Sequence, residues 1–308
     1  MGLLKRRKHM LSREEFIKEV TARIPEHFSG KYEGLTVAVE DVKKLTESYT
    51  GIHLVGRKIS TMLDVDQWYD RYRNGTSLEE VICTMADYLQ TERKGITDFD
   101  MRNIEDYSKA KKNLFFRVLN KKDATDMLQK LPHKEICDLV VLCSINVGTM
   151  SNGARASAPV NYMMLDAWGI SEEQLMSDTE KSCMKNSPAL ITDLHSFFGM
   201  EPAGVPPMIS VTNTEKMNGA AVMFYPGVLD QLATMIGGPV VILPSSVHDV
   251  IATSITEENN EEKLVETIVF ANTTACDPGE VLSDHPYVYD PAYGKLENYS
   301  DYFRRKLS

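Results

Sequence analysis

The sequence has no apolar run approaching the roughly eighteen residues of a membrane span, and its first short apolar stretch, Gly2-Leu3-Leu4, is no signal-peptide core. None of its five cysteines (83, 137, 143, 183 and 276) forms a C-x-x-C pair. That excludes a zinc ribbon or a thioredoxin-type redox motif. An odd, widely spaced set of thiols, two of them (Cys83 and Cys137) inside apolar patterns, points to free cysteines in a reducing cytoplasm. Positive charge is also in deficit. With 34 Lys and Arg against 44 Asp and Glu the net charge is −10, which repels phosphate backbones and disfavours nucleic acid as a partner. The G-x-x-x-x-G-K-[ST] phosphate loop, H-E-x-x-H and the G-x-S-x-G nucleophile elbow are all missing. No cofactor is therefore expected, and a protein or a small ligand remains as partner.

What is present is an ordinary globular composition over 308 residues, 43% apolar and 25% charged. The chain is long enough for one large domain or two smaller ones. "MGLLKRRKH" (1–9) reads as a disordered basic tail, and Met10 can serve equally as the natural start. Residues 10–199 read as an N-terminal α+β lobe. "MEPAGVPP" (200–207) is the clearest boundary signal in the chain. Residues 206–290 read as a β-β-α-β-β-α-β lobe, and 291–308 as an aromatic-rich tail. Hairpins in place of crossovers make the fold class α+β, with mainly antiparallel sheets packed against helices.

Within the first lobe, Ser12-Arg13-Glu14-Glu15 is a capping box ahead of a helical face of Phe16, Ile17, Val20, Ile24 and Phe28. Period-two stretches at 35–40, 52–55 and 59–65 predict a three-stranded meander. Asp66 is expected to cap a helix carrying Trp68, Tyr69 and Tyr72, and Ser77 to open another with Val81, Ile82, Met85 and Leu89 on one side. The lysine-rich stretch from Asp98 to about Leu119 reads as helical, and 123–132 as a short helix. The apolar run 135–148 reads as one buried strand or short helix, 148–159 as a loop and 160–165 as a strand. Ser171 opens a helix that closes at Asn186-Ser187-Pro188. In the second lobe, strands are expected at 208–214 and 220–225 around Asn218-Gly219. A helix at 227–236, ended by Gly237-Gly238, follows. Then come a hairpin of 239–244 and 248–254, a helix at 260–272 and a last strand at 285–290.

The chemistry-bearing residues concentrate in "LPSSVHD" (243–249) and "LSDHPY" (282–287). Ser245 or Ser246 with His248 and Asp284 has the residue types of a serine hydrolase. His248, Asp284 and His285 have those of a zinc or iron site, though in no recognised ligand spacing. Against both stands a simpler reading. Pro244, Ser245 and Ser246 supply turn chemistry, His248 caps or lines the core, and Ser283 or Asp284 closes a local turn before Pro286. His248 and Asp249 lie on opposite faces of any strand through them. "GTMSNGARASAP" (148–159) lacks phosphate-loop spacing, and Tyr287, Tyr289, Tyr293, Tyr299 and Tyr302 with Arg304 and Arg305 offer a base-stacking surface or an ordinary aromatic terminus. The balance is a non-catalytic binding or accessory module, with the hydrolase as the alternative class. A DNA-associated role through the basic start is opposed by the acidic remainder.

Four segments, "VLNKKDATDMLQKLPHKEICDLVVL" (118–142), "NSPALI" (186–191), "NGAAVMFYPGVLDQLATMIGGPVVILPSSVHDVI" (218–251) and "VLSDHPYVYD" (281–290), closely resemble an uncharacterised bacterial family of gut Firmicutes, DUF5688. A fainter likeness, in the proline hairpin and the "LSD-x-x-Y-x-Y" ending, extends to DUF1444. The resemblance spans about Ser12 to Asp290, and it implies no activity, cofactor, partner or residue role.

Overall fold

Ser12 opens the first helix as its spacing predicts. The Ser12 hydroxyl accepts the Glu15 N–H at 3.2 Å and the Glu15 carboxylate accepts the Ser12 N–H at 2.8 Å, so α1 runs Arg13–Arg23. In this computed structural model, which describes residues 10–44, 48–56, 61–90, 102–149, 155–199, 204–244, 246–256, 260–277 and 279–308, the chain forms two units, 1–95 and 96–308. The first unit continues with β1 (Val37–Lys43), β2 (Ser48–Leu54) and β3 (Leu63–Asp64), an antiparallel meander in that order. Next come α2 (Val65–Arg73) and α3 (Leu78–Gln90). The cap of α2 is Asp64, not Asp66, because the Asp64 carboxylate accepts the Asp66 N–H at 2.9 Å. Asp66 instead takes the Arg13 guanidinium, at 2.6 and 3.0 Å. The apolar stripes of α1 and α3 (Phe16, Val20, Ile82, Met85) close with Ile24 and Ile52 into one fully buried core. The basic segment 1–9 and residues 59–60 of the expected third strand lie outside the described residues.

The second unit begins with two single turns, α4 (Arg102–Glu105) and α5 (Tyr107–Ala110), then β4 (Leu114–Asn120). The helix expected up to Leu119 is therefore corrected. Leu114, Phe116 and Val118 alternate into the core, a period of two masked by the lysines ahead of them. The run read as one element at 135–148 is a hairpin of β5 (His133–Ile136) and β6 (Leu139–Thr149). Its two-residue turn places Cys137 at φ 56°, a conformation that glycine or asparagine usually signals. β7 (Arg155–Pro159) pairs with β6 through a bulge at Asn146/Gly148, where a loop was expected; residues 150–154 of that loop are outside the described set. The strand expected at 160–165 is α6 (Tyr162–Trp168), started by the Asn161 side chain accepting the Met164 N–H at 2.9 Å and ended by Gly169 at φ 67°. β4, β5, β6 and β7 make one four-stranded sheet.

After α7 (Glu172–Asn186) come β8 (Ala189–Asp193), the single turn α8 (Leu194–Phe197) and β9 (Ile209–Asn213). β8 and β9 are hydrogen-bonded in register from Ala189↔Asn213 to Asp193↔Ile209. The proline-rich stretch therefore does not separate two lobes; it connects neighbouring strands of one sheet. The strand expected at 220–225 is a 3₁₀ helix, Gly219–Phe224. α9 (Val228–Ile236) ends at Gly237 with φ 82°, as expected. β10 (Val240–Leu243) and β11 (Val250–Ser254) form the anticipated pair, followed by α10 (Glu261–Ala275) and β12 (Tyr287–Asp290). The tail assigned to 291–308 is folded: β13 (Lys295–Asn298) joins β12, and α11 (Tyr299–Leu307) buries Tyr299 and Tyr302. With Tyr287 and Tyr289 buried as well, four of the five tyrosines weighed as a stacking surface are core. The six-stranded sheet runs β13-β12-β10-β11-β9-β8, and all its pairings are antiparallel. The fold is α+β. No helix among the described residues is long and apolar enough to cross a membrane.

Strand β10 is buried on both faces. Val240 and Ile242 enter the large core shared by the two sheets of this unit, and Val241 enters a second core with Leu264, Val288, Tyr299 and Tyr302 beneath α10 and α11. Val241→Ala or Ile242→Ala should each cost about 2–4 kcal/mol in denaturant unfolding, as large-to-small changes in fully buried sites do. A second expectation concerns the docked terminus. Burial pushes the Asp290 carboxyl up, but the hydrogen bonds from Lys306 and the Ala292 N–H and the charges of Lys306 and Arg305 outweigh it and hold it below its ordinary value. A depressed carboxyl contributes stability that is complete above its unfolded value of about 3.9 and is lost as pH falls through the lower folded one. Asp290→Asn should therefore flatten the acid limb of thermal stability below about pH 4. An acid limb unchanged in that variant would show that the pairing contributes nothing to it.

Candidate functional site

The segment between β10 and β11 carries most of the residues singled out for chemistry, and its backbone is held from two sides. On one side the Ser283 N–H donates to Pro244 O at 3.2 Å, Ser246 bridges Val281, and the Val247 N–H donates to Glu280 O at 2.8 Å. On the other, the Ala220 N–H donates to Val247 O at 3.2 Å and the Thr212 hydroxyl to His248 O at 2.7 Å. The segment is an internal strap, not a turn reversing in solvent. Asn218-Gly219 belongs to the same arrangement. Asn218 takes a left-handed conformation at φ 51°. Gly219 lies so close to the strap that an added Cβ would stand 2.3 Å from the His248 carbonyl oxygen and 2.1 Å from Thr212 Oγ1. Glycine is needed here for close approach, not for a hairpin.

The hydrolase constellation is not assembled. The Ser246 hydroxyl accepts the His248 backbone N–H at 2.9 Å, which is turn chemistry. His248 Nδ1 accepts the Asn218 N–H at 3.2 Å and its Nε2 lies 3.1 Å from Glu280 Oε1. That pattern assigns the ring proton to Nε2, facing Glu280. Asp249 is half-buried, and burial pushes its carboxyl up against the opposing charge of His248. Asp284 is engaged elsewhere, accepting from Asn272 Nδ2 at 2.8 Å and lying 3.5 Å from Lys122 Nζ. His285 is exposed, and its backbone N–H donates to the Ser283 hydroxyl at 3.1 Å. Ser245 lies outside the described residues. Among the described residues His248, Asp284 and His285 do not converge into a metal-binding group. The "LSD" segment ties the unit together instead: the fully buried Ser283 hydroxyl donates to Asp138 Oδ2 at 2.8 Å, and the Tyr287 hydroxyl donates to Asp138 Oδ1.

His248 and Glu280 do line a cleft of about 850 Å³, within the size range of small-molecule sites. Its walls come from the start of β4, the end of α7, the turn after β9, the strap and the loop before β12. The turn is shaped by the buried Asn213, whose Nδ2 donates to Met217 O at 2.9 Å while its Oδ1 accepts the Glu215 N–H at 3.1 Å. Arg155 is satisfied by an ion pair with Glu215. Arg117 is not. It projects from β4 half-buried into the cleft, burial pushes its guanidinium below the ordinary arginine value, and among the described residues no carboxylate offsets that. Lys112, exposed at the lip, adds a second cation. Arg117 is hidden in the sequence because the lysines ahead of it give its segment a helical pattern. The available signal was a single arginine inside the apolar run "LFFRVL" (114–119).

The sequence model of a family of unknown function, DUF5688, matches residues 13–291. The chain belongs to that family. No curated protein and no solved structure matches it.

The close approach of Gly219 gives this site a direct test. Gly219→Ala should lower stability by about 1–3 kcal/mol, as overpacking does, and should displace His248 from Asn218. Thermal unfolding together with the pH-dependent chemical shifts of the His248 ring checks both. A variant with unchanged stability and unchanged shifts would mean the strap has room that the geometry denies.

Proposed function

We propose that the chain is a non-catalytic, cytoplasmic binding module whose second unit holds a small ligand bearing a carboxylate or phosphate in the cleft between β4 and the 244–249 strap. The observation that carries this reading is Arg117. A guanidinium withdrawn from water without a counter-charge is costly to the empty protein, and a bidentate anion is the partner its planar fork fits best. Lys112 adds long-range attraction, and the asparagines and His248 around the cleft supply further polar contacts for the rest of the ligand. The thiols of Cys83, Cys137, Cys143 and Cys183, none of them in a disulfide, suit a reducing compartment. The serine-hydrolase alternative has no support in the hydrogen bonding of Ser246, whose hydroxyl serves the strap backbone.

The charge of Arg117 makes opposite demands on the empty and the liganded protein. Arg117→Met keeps the side-chain length and removes the unpaired charge, so it should raise the stability of the ligand-free protein by about 1 kcal/mol. The same change should abolish any thermal stabilisation given to the natural chain by inorganic phosphate, a dicarboxylate or a nucleoside monophosphate. Destabilisation of the ligand-free protein by Arg117→Met, or ligand shifts of equal size in both proteins, would defeat the reading.

A further inference from the structure

The first unit contains a second, unrelated cluster of reactive groups. We propose that His27, Glu79 and Cys83 form a site for a zinc-like divalent transition-metal ion. Glu79 and Cys83 stand one turn apart on α3, so both side chains project from the same face. His27 is carried over that face by the 3₁₀ turn Ile24–His27 that follows α1. Its Nδ1 lies 3.6 Å from Cys83 Sγ and its Nε2 lies 3.5 Å from Glu79 Oε1. One ligand atom from each of the three residues falls within 4.8 Å of the others. Zinc bonds of 2.0–2.3 Å in tetrahedral geometry require separations of roughly 3.3–3.8 Å. An ion takes only one of the two imidazole nitrogens, so the ring has to turn about its side-chain torsions until that nitrogen faces both Cys83 Sγ and a Glu79 oxygen.

The frame around the three groups is built before any ion arrives. Gln90, on the same face of α3 as Glu79, donates from Nε2 to His27 O at 3.0 Å and accepts the Ser29 N–H on Oε1 at 2.7 Å. That clamp and the buried Ile24 and Phe28 fix the backbone on both sides of the histidine. Arg23 pairs with Glu79 Oε2 and leaves Oε1 turned toward the imidazole. A cation that orients a ligating carboxylate through its other oxygen is a common outer support of metal sites. The donor set narrows the ion. Nitrogen, oxygen and sulfur together suit zinc and its neighbours and not magnesium or calcium, which take oxygen alone. Three protein ligands leave a fourth position for water or a ligand. The charges also balance, since a thiolate and a carboxylate neutralise a divalent ion. An Arg23–Glu79–His27 ion-pair chain by itself gives no role to the thiol, and the thiol is the group that selects a transition metal.

The test uses the full chain, stripped with a chelator and titrated with cobalt(II). The expected result is a thiolate-to-cobalt charge-transfer band with tetrahedral visible absorption at one equivalent, both displaced by zinc. Cys83→Ser should lose the charge-transfer band, and His27→Gln and Glu79→Gln should each weaken cobalt binding by about tenfold or more. Far-UV circular dichroism of each variant separates loss of metal from loss of fold. Because four other cysteines are present, an identical band in folded Cys83→Ser would assign the metal elsewhere and overturn the proposal. Absence of the band in the folded natural chain would overturn it too.

Discussion

The carboxylate of Asp138 is the contact on which the second unit depends. It sits in the two-residue turn between β5 and β6, in the four-stranded sheet, and it accepts hydroxyls from Tyr287 and Ser283, which belong to the path into the six-stranded sheet. Asn120 of β4 donates to it as well, at 2.8 Å. Tyr287 and Ser283 are both fully buried, and burial together with the Asp138 hydrogen bond pushes the tyrosine hydroxyl above its ordinary value. One acidic group thus accepts from two buried O–H donors, and leaving such a donor unsatisfied costs about 1–3 kcal/mol. It also sets the register between two sheets whose apolar faces alone would tolerate sliding.

The strap between β10 and β11 follows from the same economy of backbone groups. Buried amides and carbonyls have to be paired, and the chain from Pro244 to His248 finds its partners in the segments 218–220 and 280–283, on either side. The serines and the histidine that look catalytic in the sequence are absorbed by this pairing, Ser246 through its neighbour's N–H and His248 through Asn218 and Glu280. Functional potential moves to the groups the fold leaves unsatisfied. Arg117 is one, charged and short of water with no acid beside it among the described residues. The imidazole of His27 and the thiol and carboxylate of Cys83 and Glu79 are another kind, donor groups of three chemistries converging over one face of α3.

Much of this architecture was legible in the sequence. The capping box at Ser12, the serine caps at Ser77 and Ser171 and the Gly237 helix stop rest on interactions within a few residues, and the first meander, the β10–β11 pair and the antiparallel α+β class on the hydrophobic period of neighbouring segments. Local hydrogen bonding and hydrophobic period determine them, so reading the chain suffices. The failures share a different physics. The turn at Cys137 uses a left-handed residue without glycine's signature, and tertiary contacts around Asp138 hold it there. β4 and β7 become strands because β6 offers them backbone partners that no local pattern reveals. The proline-rich stretch at 200–207 looked like a boundary because prolines end local structure, yet pairing of β8 with β9 carries the sheet across it.

The sequence by itself thus determined the class of fold, the membership in a family and the absence of familiar catalytic spacings, since these are properties of order along the chain. Only the tertiary structure decided which polar groups are spent on holding the fold and which are left over. Read along the chain, His248, Asp284 and Ser283 look at least as chemical as Arg117, His27 and Cys83. They differ in what stands across from them. A hydrogen bond or an ion pair acts over about 3 Å, and residues 145 positions apart, like Asp138 and Ser283, reach that distance only when the whole unit has folded.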